Sequence, residues 1–449
     1  CKQTKLFYVF VFLSTGFLLA QGDAENEVKQ TEIEKRQETI LYGLDSEVAA
    51  LIETLIIDDD EQFSDSLISI FNSSSNTELR EKIINYCIHF NDNALKDFAI
   101  TVIEDPFDEN RSTVSLVCKY IEKLEINETA PALQEILETE NEDLYEMAIS
   151  ALSIVGGSEQ AVFLANMFDD EDLDTIRKQQ LVKALGALQV LETWDKLVER
   201  AEDENENLYV RMYAAEAIGQ MKKPESIDVL IRLFDSTDPN LRQYVLKGLS
   251  HFTDEKVQTL IISAVKDNYW KVRQEAISII QKLDIIAAAP YLLYRAKNDS
   301  EKVIVYDALE ALASLGDKKG IEYLIEIVKD DKKNDVLRSK SAESLLKNKV
   351  KDGYKAVIVA AEKSLEKSRD KNLRYALGKL FVKYPDRAWG EICEKYLHHD
   401  DVATKGTGLD IYNKNTYSNL TSLIEQIAEE DKSSAIKTKA KRILESKKN

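Results

Sequence analysis

Asn207-Leu-Tyr-Val-Arg-Met-Tyr-Ala-Ala-Glu-Ala-Ile-Gly-Gln-Met-Lys-Lys-Pro-Glu-Ser-Ile-Asp-Val-Leu-Ile-Arg-Leu-Phe-Asp235 reads as two short helices joined by a tight turn. Apolar or small residues fall at Val210, Ala214, Ala217, Ile218 and Met221, the spacing of one buried helix face. After Lys222-Lys223-Pro224 the pattern restarts at Ile227, Leu230, Ile231 and Phe234. Proline is compatible with the start of a helix and interrupts a continuing one, which places the turn. Gly219, near the end of the first helix, lets a neighbouring backbone come close. Two helices this short cannot bury both of their faces. The unit needs copies of itself on either side.

Copies recur along the chain. Leu230 has counterparts at Leu133, Leu164, Leu197, Leu260, Leu292, Leu324, Val357, Ile392 and Leu423, separated by steps of 31, 33, 33, 30, 32, 32, 33, 35 and 31 residues. Each follows a first helix with a similar skeleton, such as Lys183-Ala184-Leu185-Gly186, Lys247-Gly248-Leu249-Ser250 and Ala311-Leu312-Ala313-Ser314-Leu315-Gly316. A period of this length marks a solenoid. Only 6 prolines and 15 glycines in 449 residues, with no period-two alternation, point to an all-helical chain.

The pattern resembles HEAT repeats, in particular the shorter units of the phycobilisome-lyase type and of bacterial scaffold proteins. The resemblance rests on Val210-Arg211 and Val272-Arg273, with Leu241-Arg242 and Leu337-Arg338 as variants, before the first helix. It also rests on Ala130-Pro131-Ala132-Leu133 and Ala289-Pro290-Tyr291-Leu292 opening the second. It covers residues 45 to 445 and is clearest from 141 to 328. It implies an all-α fold, an α-α superhelix of the HEAT/armadillo-like solenoid type with about eleven or twelve helical pairs. Fold of this kind does not specify activity.

The expected organisation has five parts. Residues 1–20 read as a signal peptide and 21–44 as an acidic flexible lead or capping helix. Divergent helical repeats follow at 45–140, regular repeats at 141–328, and divergent basic repeats at 329–449. The first part has Lys2 and Lys5, then the apolar run Leu6 to Leu13, then Ala20 as the cleavage point. The run is shorter than the roughly 20 residues of a membrane span. An uncleaved anchor is the alternative, and the only membrane contact expected. Export, with the bacterial periplasm as destination, is the resulting expectation.

Net charge is −21, and unevenly spread. Residues 1–329 hold 33 basic and 61 acidic residues (net −28), whereas 330–449 hold 26 and 19 (net +7). A chain acidic over most of its length repels nucleic acid, so no nucleic-acid partner is expected. The basic end, with Lys437, Lys439, Lys441, Arg442, Lys447 and Lys448, suits either its own helix C-terminus or docking on an acidic surface.

Chemistry-bearing residues are sparse. There are 4 histidines; His398-His399-Asp400-Asp401 is the one stretch that invites a metal reading, and it falls in a turn between repeats. Cys87 and Cys118 have apolar neighbours and read as small buried hydrophobes, and no disulfide framework is implied with Cys393 as the third. Neither a phosphate-binding glycine loop nor a hydrolase or zincin motif occurs. No catalytic residues, cofactor, metal or small-molecule substrate are therefore expected. The functional expectation is a non-catalytic scaffold binding a protein or peptide along a concave face. The alternatives are an envelope-structural role docked through the basic end, and a lyase-like or metal-assisted activity near His398 and His399. Candidate partner-binding residues occupy the position just before the anchor: Phe163, Tyr291 and Tyr323, with Tyr294 one turn beyond Tyr291. The expectation places second helices on the concave face, with these aromatics as a ridge along it.

Overall fold

The computed structural model describes residues 32–448 apart from 140, 171 and 416; the segment read as a signal peptide lies outside the described residues. Among the described residues there are 26 α-helices and no strand. Twelve antiparallel pairs lie between a leading helix α1 (32–42) and a closing helix α26 (Ser434–Lys448). The helix α1 occupies part of the segment read as an acidic lead. It buries Ile40, and Arg36 pairs with Asp58 and Asp60 at 2.6 Å each.

The chain forms two compact units, residues 29–257 and 258–449. The first contains the pairs α2/α3 (Asp45–Asp58, Ser64–Ser73), α4/α5 (Thr77–Phe90, Lys96–Glu104), α6/α7 (Arg111–Leu124, Ala130–Glu138) and α8/α9 (Glu142–Val155, Ser158–Phe168). It continues with α10/α11 (Thr175–Ala187, Trp194–Glu202), α12/α13 (Leu208–Gln220, Ser226–Leu233) and α14 (Pro239–Leu249). The boundary falls within α15 (Glu255–Ala264). The second unit contains α16/α17 (Trp270–Lys282, Ala289–Asn298), α18/α19 (Lys302–Ser314, Lys318–Lys329), α20/α21 (Asp335–Lys347, Lys351–Glu366), α22/α23 (Lys371–Lys383, Gly390–Leu397) and α24/α25 (Val402–Asn415, Thr421–Glu430).

Eight of the ten anchors, including Leu133, Leu230, Leu292 and Ile392, have no exposed surface. Leu260 and Leu423 are the two corrections. Both are half-buried, and the fully buried residues are Ile261 and Ile424. With these substituted the steps become 31, 33, 33, 31, 31, 32, 33, 35 and 32, a tighter period than the one read from the sequence.

The turn inside a pair is built alike in eight of the twelve pairs. The backbone crosses into the left-handed region at Asp59, Asn91, Glu125, Gln189, Lys222, Asp284 and Lys349, and at Gly316 in α18/α19. This closes the first helix and redirects the chain. The arginine of a Val-Arg or Leu-Arg dipeptide joins one pair to the next. Arg211 Nε donates to Ala201 O (3.1 Å), Arg338 Nε to Val328 O (3.2 Å) and Arg374 Nη1 to Ser364 O (3.0 Å), each reaching back ten residues to the end of the preceding second helix. Carbonyls that a helix end leaves without intrahelical donors are thereby satisfied by a guanidinium.

Within 29–257 each first helix lies close against the next first helix, while the second helices meet only sparsely. The cause is side-chain size. A Cβ on Gly219 would stand 2.2 Å from Gly248 O and 2.3 Å from Gly248 Cα; one on Gly186 would stand 2.6 Å from Ala217 Cα. Backbone touches backbone there, which only small residues permit. A stack bends toward its more closely spaced layer, so the first helices form the inner side of this unit. That corrects the expectation that second helices line the concave face. In 258–449 the same asymmetry holds around α17, whereas α19 and α21 lie as close together as the first helices beside them.

Candidate interaction surfaces

The inner layer of 29–257 carries an open groove of about 480 Å³ across four consecutive first helices, α8, α10, α12 and α14. Ala184 and Ala187, with Ser150 and Ser153, keep it open, because longer side chains at those positions would fill the space between helices. Its walls present Glu146, Gln180, Lys183, Tyr213, Glu216, Gln220 and Tyr244. The two tyrosine rings meet edge to face, with centroids 5.5 Å apart. Lys183 Nζ stands 4.2 Å from the centre of Tyr213 and Lys247 Nζ 4.0 Å from that of Tyr244. Desolvation raises the Tyr244 phenol above its ordinary pKa, so it remains a neutral hydrogen-bonding group at physiological pH. Gln180 Nε2 reaches Glu146 Oε1 only at 3.5 Å, leaving that amide capacity for other partners. Aromatic faces, amides and both signs of charge thus share one trough. None of these positions stands out as a binding residue from the repeat pattern alone; the small residues Ser150, Ser153, Ala184 and Ala187 among them are the signal that marks the groove.

The four aromatic candidates are divided. Phe163, in α9 of the first unit, is half-buried. Tyr291 and Tyr294, in α17 of the second, are 40% and 58% exposed. Together with Lys266, Pro290 and Arg295 they line an open cleft of about 640 Å³. Tyr323, in α19, is half-buried with Lys297 Nζ 4.7 Å from its ring centre. Of the four, Tyr291 and Tyr294 share a cleft, and Phe163 and Tyr323 are partly packed.

The histidines at the α23–α24 turn serve the backbone. The Asp401 amide donates to His399 Nδ1 (2.9 Å), which leaves Nε2 as the protonated nitrogen, donating to Leu365 O (3.3 Å). His398 Nδ1 lies 3.2 Å from Glu394 O. Asp401 is held well below the usual carboxylate range, desolvation being outweighed by hydrogen bonds from Tyr375 and Thr404. Among the described residues no group of three or more His, Cys, Asp or Glu is arranged to hold a metal ion. Cys87, Cys118 and Cys393 are free and buried, and burial pushes each thiol up to about 12. In the basic end, Lys437 donates to Glu429 O, Lys441 pairs with Glu429 and Lys439 with Asp410. No helix among the described residues is long and apolar enough to cross a membrane.

A family described as "Spirochaete HEAT repeat protein" matches residues 40–443. The chain belongs to that family. The match spans all twelve helical pairs. Over 136 residues the chain is 29% identical to the deoxyhypusine hydroxylase of Candida albicans, spanning 30% of this chain and 42% of that enzyme's length. Among solved structures it is similar to the complex of CpcE and CpcF of phycocyanin lyase from Nostoc sp. PCC7120 (16% identity, 51% of this chain, 90% of that chain, TM-score 0.31). It is also similar to Kap121p (11% identity, 91% of this chain, 52% of that chain, TM-score 0.41).

Proposed function

We propose that this HEAT-family chain is a non-catalytic interaction scaffold that holds a protein segment in the inner groove of α8–α14. The observation that carries the reading is the groove itself. Four successive first helices leave an open trough whose side chains are a tyrosine pair, two glutamines and charges of both signs. Such a lining suits an extended polypeptide, whose main chain needs donors and acceptors at intervals and whose side chains need apolar rests. Tyrosine adds contact area at small entropic cost, which makes Tyr213 and Tyr244 the expected anchors.

The test is site-specific photocrosslinking in cells, with a photoreactive residue at Ser150 or Gln220. A discrete adduct is expected from both positions, lost when Tyr213→Ala and Tyr244→Ala are combined. Adducts of equal yield in that double variant sink the reading.

The proposal includes export, supported by Lys2, Lys5 and the apolar run Leu6 to Leu13 ahead of Ala20. Residues 1–44 fused to a reporter enzyme active only outside the cytoplasm should give activity. A fusion that is made but inactive removes the periplasmic assignment and leaves the scaffold reading intact.

A further inference from the structure

The cleft on α17 has a composition opposite to that of the chain around it. In a protein of net charge −21, its lining is Lys266, Pro290, Tyr291, Tyr294 and Arg295, without a carboxylate or an amide. Asp299, whose side chain is only 1% exposed, is shared by Arg273 (2.7 Å) and Arg295 (3.3 Å), so two guanidiniums meet one carboxylate. The pairing fixes Arg295 beside the Tyr294 ring, 5.2 Å from its centre. Lys266 Nζ stands 5.4 Å from the centre of Tyr291. The neighbouring Asp267 carboxylate accepts the Tyr269 amide at 2.8 Å. A cation therefore flanks each exposed ring.

Tyr291 and Tyr294 are three residues apart, so both rings stand on the same face of α17 and line the one cleft. Pro290 extends that apolar floor by one residue. Neighbouring exposed aromatic side chains accept the rings of a polyproline II segment, which has three residues per turn and no internal hydrogen bonds to break. The flanking cations select what accompanies the prolines. A neutral sugar fits poorly, since its hydroxyls need carboxylate or amide acceptors that the lining lacks. We propose that this cleft docks a proline-rich peptide segment carrying carboxylates, with prolines seated on Tyr291 and Tyr294 and acids meeting Lys266 and Arg295. It lies on the second helices of 258–449, apart from the inner groove of 29–257, so the two readings fail separately.

The experiment uses the full chain and a fluorescein-labelled peptide repeating Pro-Pro-Glu, read by anisotropy. Saturable binding is expected. Affinity should drop roughly tenfold or more with Tyr291→Ala or Tyr294→Ala, as exposed aromatic anchors do. A Pro-Pro-Gln peptide and an Ala-Ala-Glu peptide should each bind at least several-fold more weakly, and the Tyr213→Ala/Tyr244→Ala groove variant should bind normally. Because both cleft tyrosines are exposed, their variants should unfold at the wild-type temperature; loss of binding with an unchanged melting curve supports the cleft. The proposal is overturned if the peptide does not bind, if the neutral peptide binds equally, or if both tyrosine variants retain full affinity. Stronger binding of a uronic-acid oligosaccharide than of the peptide also overturns it.

Discussion

The first-helix faces of the two compact units use one register for opposite ends. Counted from the arginine of the Val-Arg pair, Tyr213, Glu216 and Gln220 in α12 correspond to Lys340, Glu343 and Lys347 in α20. In the first unit these positions line an open groove. In the second they close on one another. Glu343 takes both Lys340 and Lys383 at 2.9 Å, and Tyr384 donates to it at 3.3 Å; Lys347 pairs with Glu310, and Gln274 donates to Asp307 at 2.8 Å. The repeat scaffold thus fixes where a side chain stands, and its identity decides whether the surface is spent on the chain's own neighbours or left for a partner. Function in such a fold is read from the side chains that each copy presents rather than from the repeat.

The largest effect should come from the spacing of the inner layer. Gly219→Val places a branched side chain where even a Cβ would lie 2.2 Å from Gly248 O, and no flexible group is there to yield. We expect a loss of at least about 3 kcal/mol and broken cooperativity in urea unfolding. In the second unit Gly406→Ala meets nothing closer than Ile436 Cδ1 at 3.7 Å, so replacing a helical glycine should stabilise by roughly 0.5–1 kcal/mol. Equal responses at the two sites would refute close backbone contact as the cause of the inner layer.

Next in size is the guanidinium tie. Arg338 is buried and donates twice to Val328 O (3.2 and 3.0 Å), so Arg338→Met leaves that carbonyl without this donor and should cost about 2 kcal/mol. Arg338→Lys should recover less than half of it, since an ammonium lacks the planar fork. Chemical denaturation of the full chain measures both; a neutral Arg338→Met variant would show the Val-Arg motif to be unimportant for stacking.

The ion pairs of the second unit make its comparison with the first dependent on pH. Against the desolvation of partial burial, hydrogen bonds from Lys340 and Lys383 hold the Glu343 carboxyl down to about 2 from an ordinary 4.5. A carboxylate depressed in the folded state contributes stability above its unfolded pKa and loses it as pH falls through the folded one. The contribution is therefore complete above about pH 4.5 and disappears toward about pH 2. Solvent screening reduces it to about 1 kcal/mol. Glu343→Gln should remove that acid-dependent part and leave the rest of the profile in place. Identical acid unfolding curves for the variant and the wild type would contradict the closed ladder.

Much of this was legible in advance. The anchors are apolar at a steady period, and the pairs follow from it. Register slipped by one at Leu260 and Leu423 because each is followed by an isoleucine, and apolarity does not choose between two adjacent apolar residues. Which layer lies inside is a matter of spacing, which periodicity does not encode. The relevant signal was in Gly219, Gly248, Ala184 and Ala217, small residues concentrated in the first helices. The groove was unread because its residues are ordinary polar side chains, each unremarkable until four helices bring them together. The α17 cleft was partly legible: Tyr291 and Tyr294 stood out as edge aromatics, but the cations beside them are contributed by Lys266, in another helical pair, and by Arg295, positioned through Asp299.

The smallest expected effect probes the turns that both units share. Glu125 in the first unit and Lys349 in the second sit at φ 52° and 53°, where a side chain crowds the backbone. Gly316 fills the same position in α18/α19 at φ 66°, with nothing within 4 Å of where its Cβ would be. The native conformation is therefore one that glycine adopts without the steric penalty, and the surroundings do not require the side chain's bulk. Glu125→Gly and Lys349→Gly should each stabilise by up to about 1 kcal/mol, the relief of left-handed strain exceeding the extra entropy of the unfolded glycine. Gly316→Ala should cost a similar amount despite the open space. If Gly316→Ala proves neutral by thermal unfolding, the turn tolerates a left-handed alanine and the entropy term governs; both glycine variants should then destabilise.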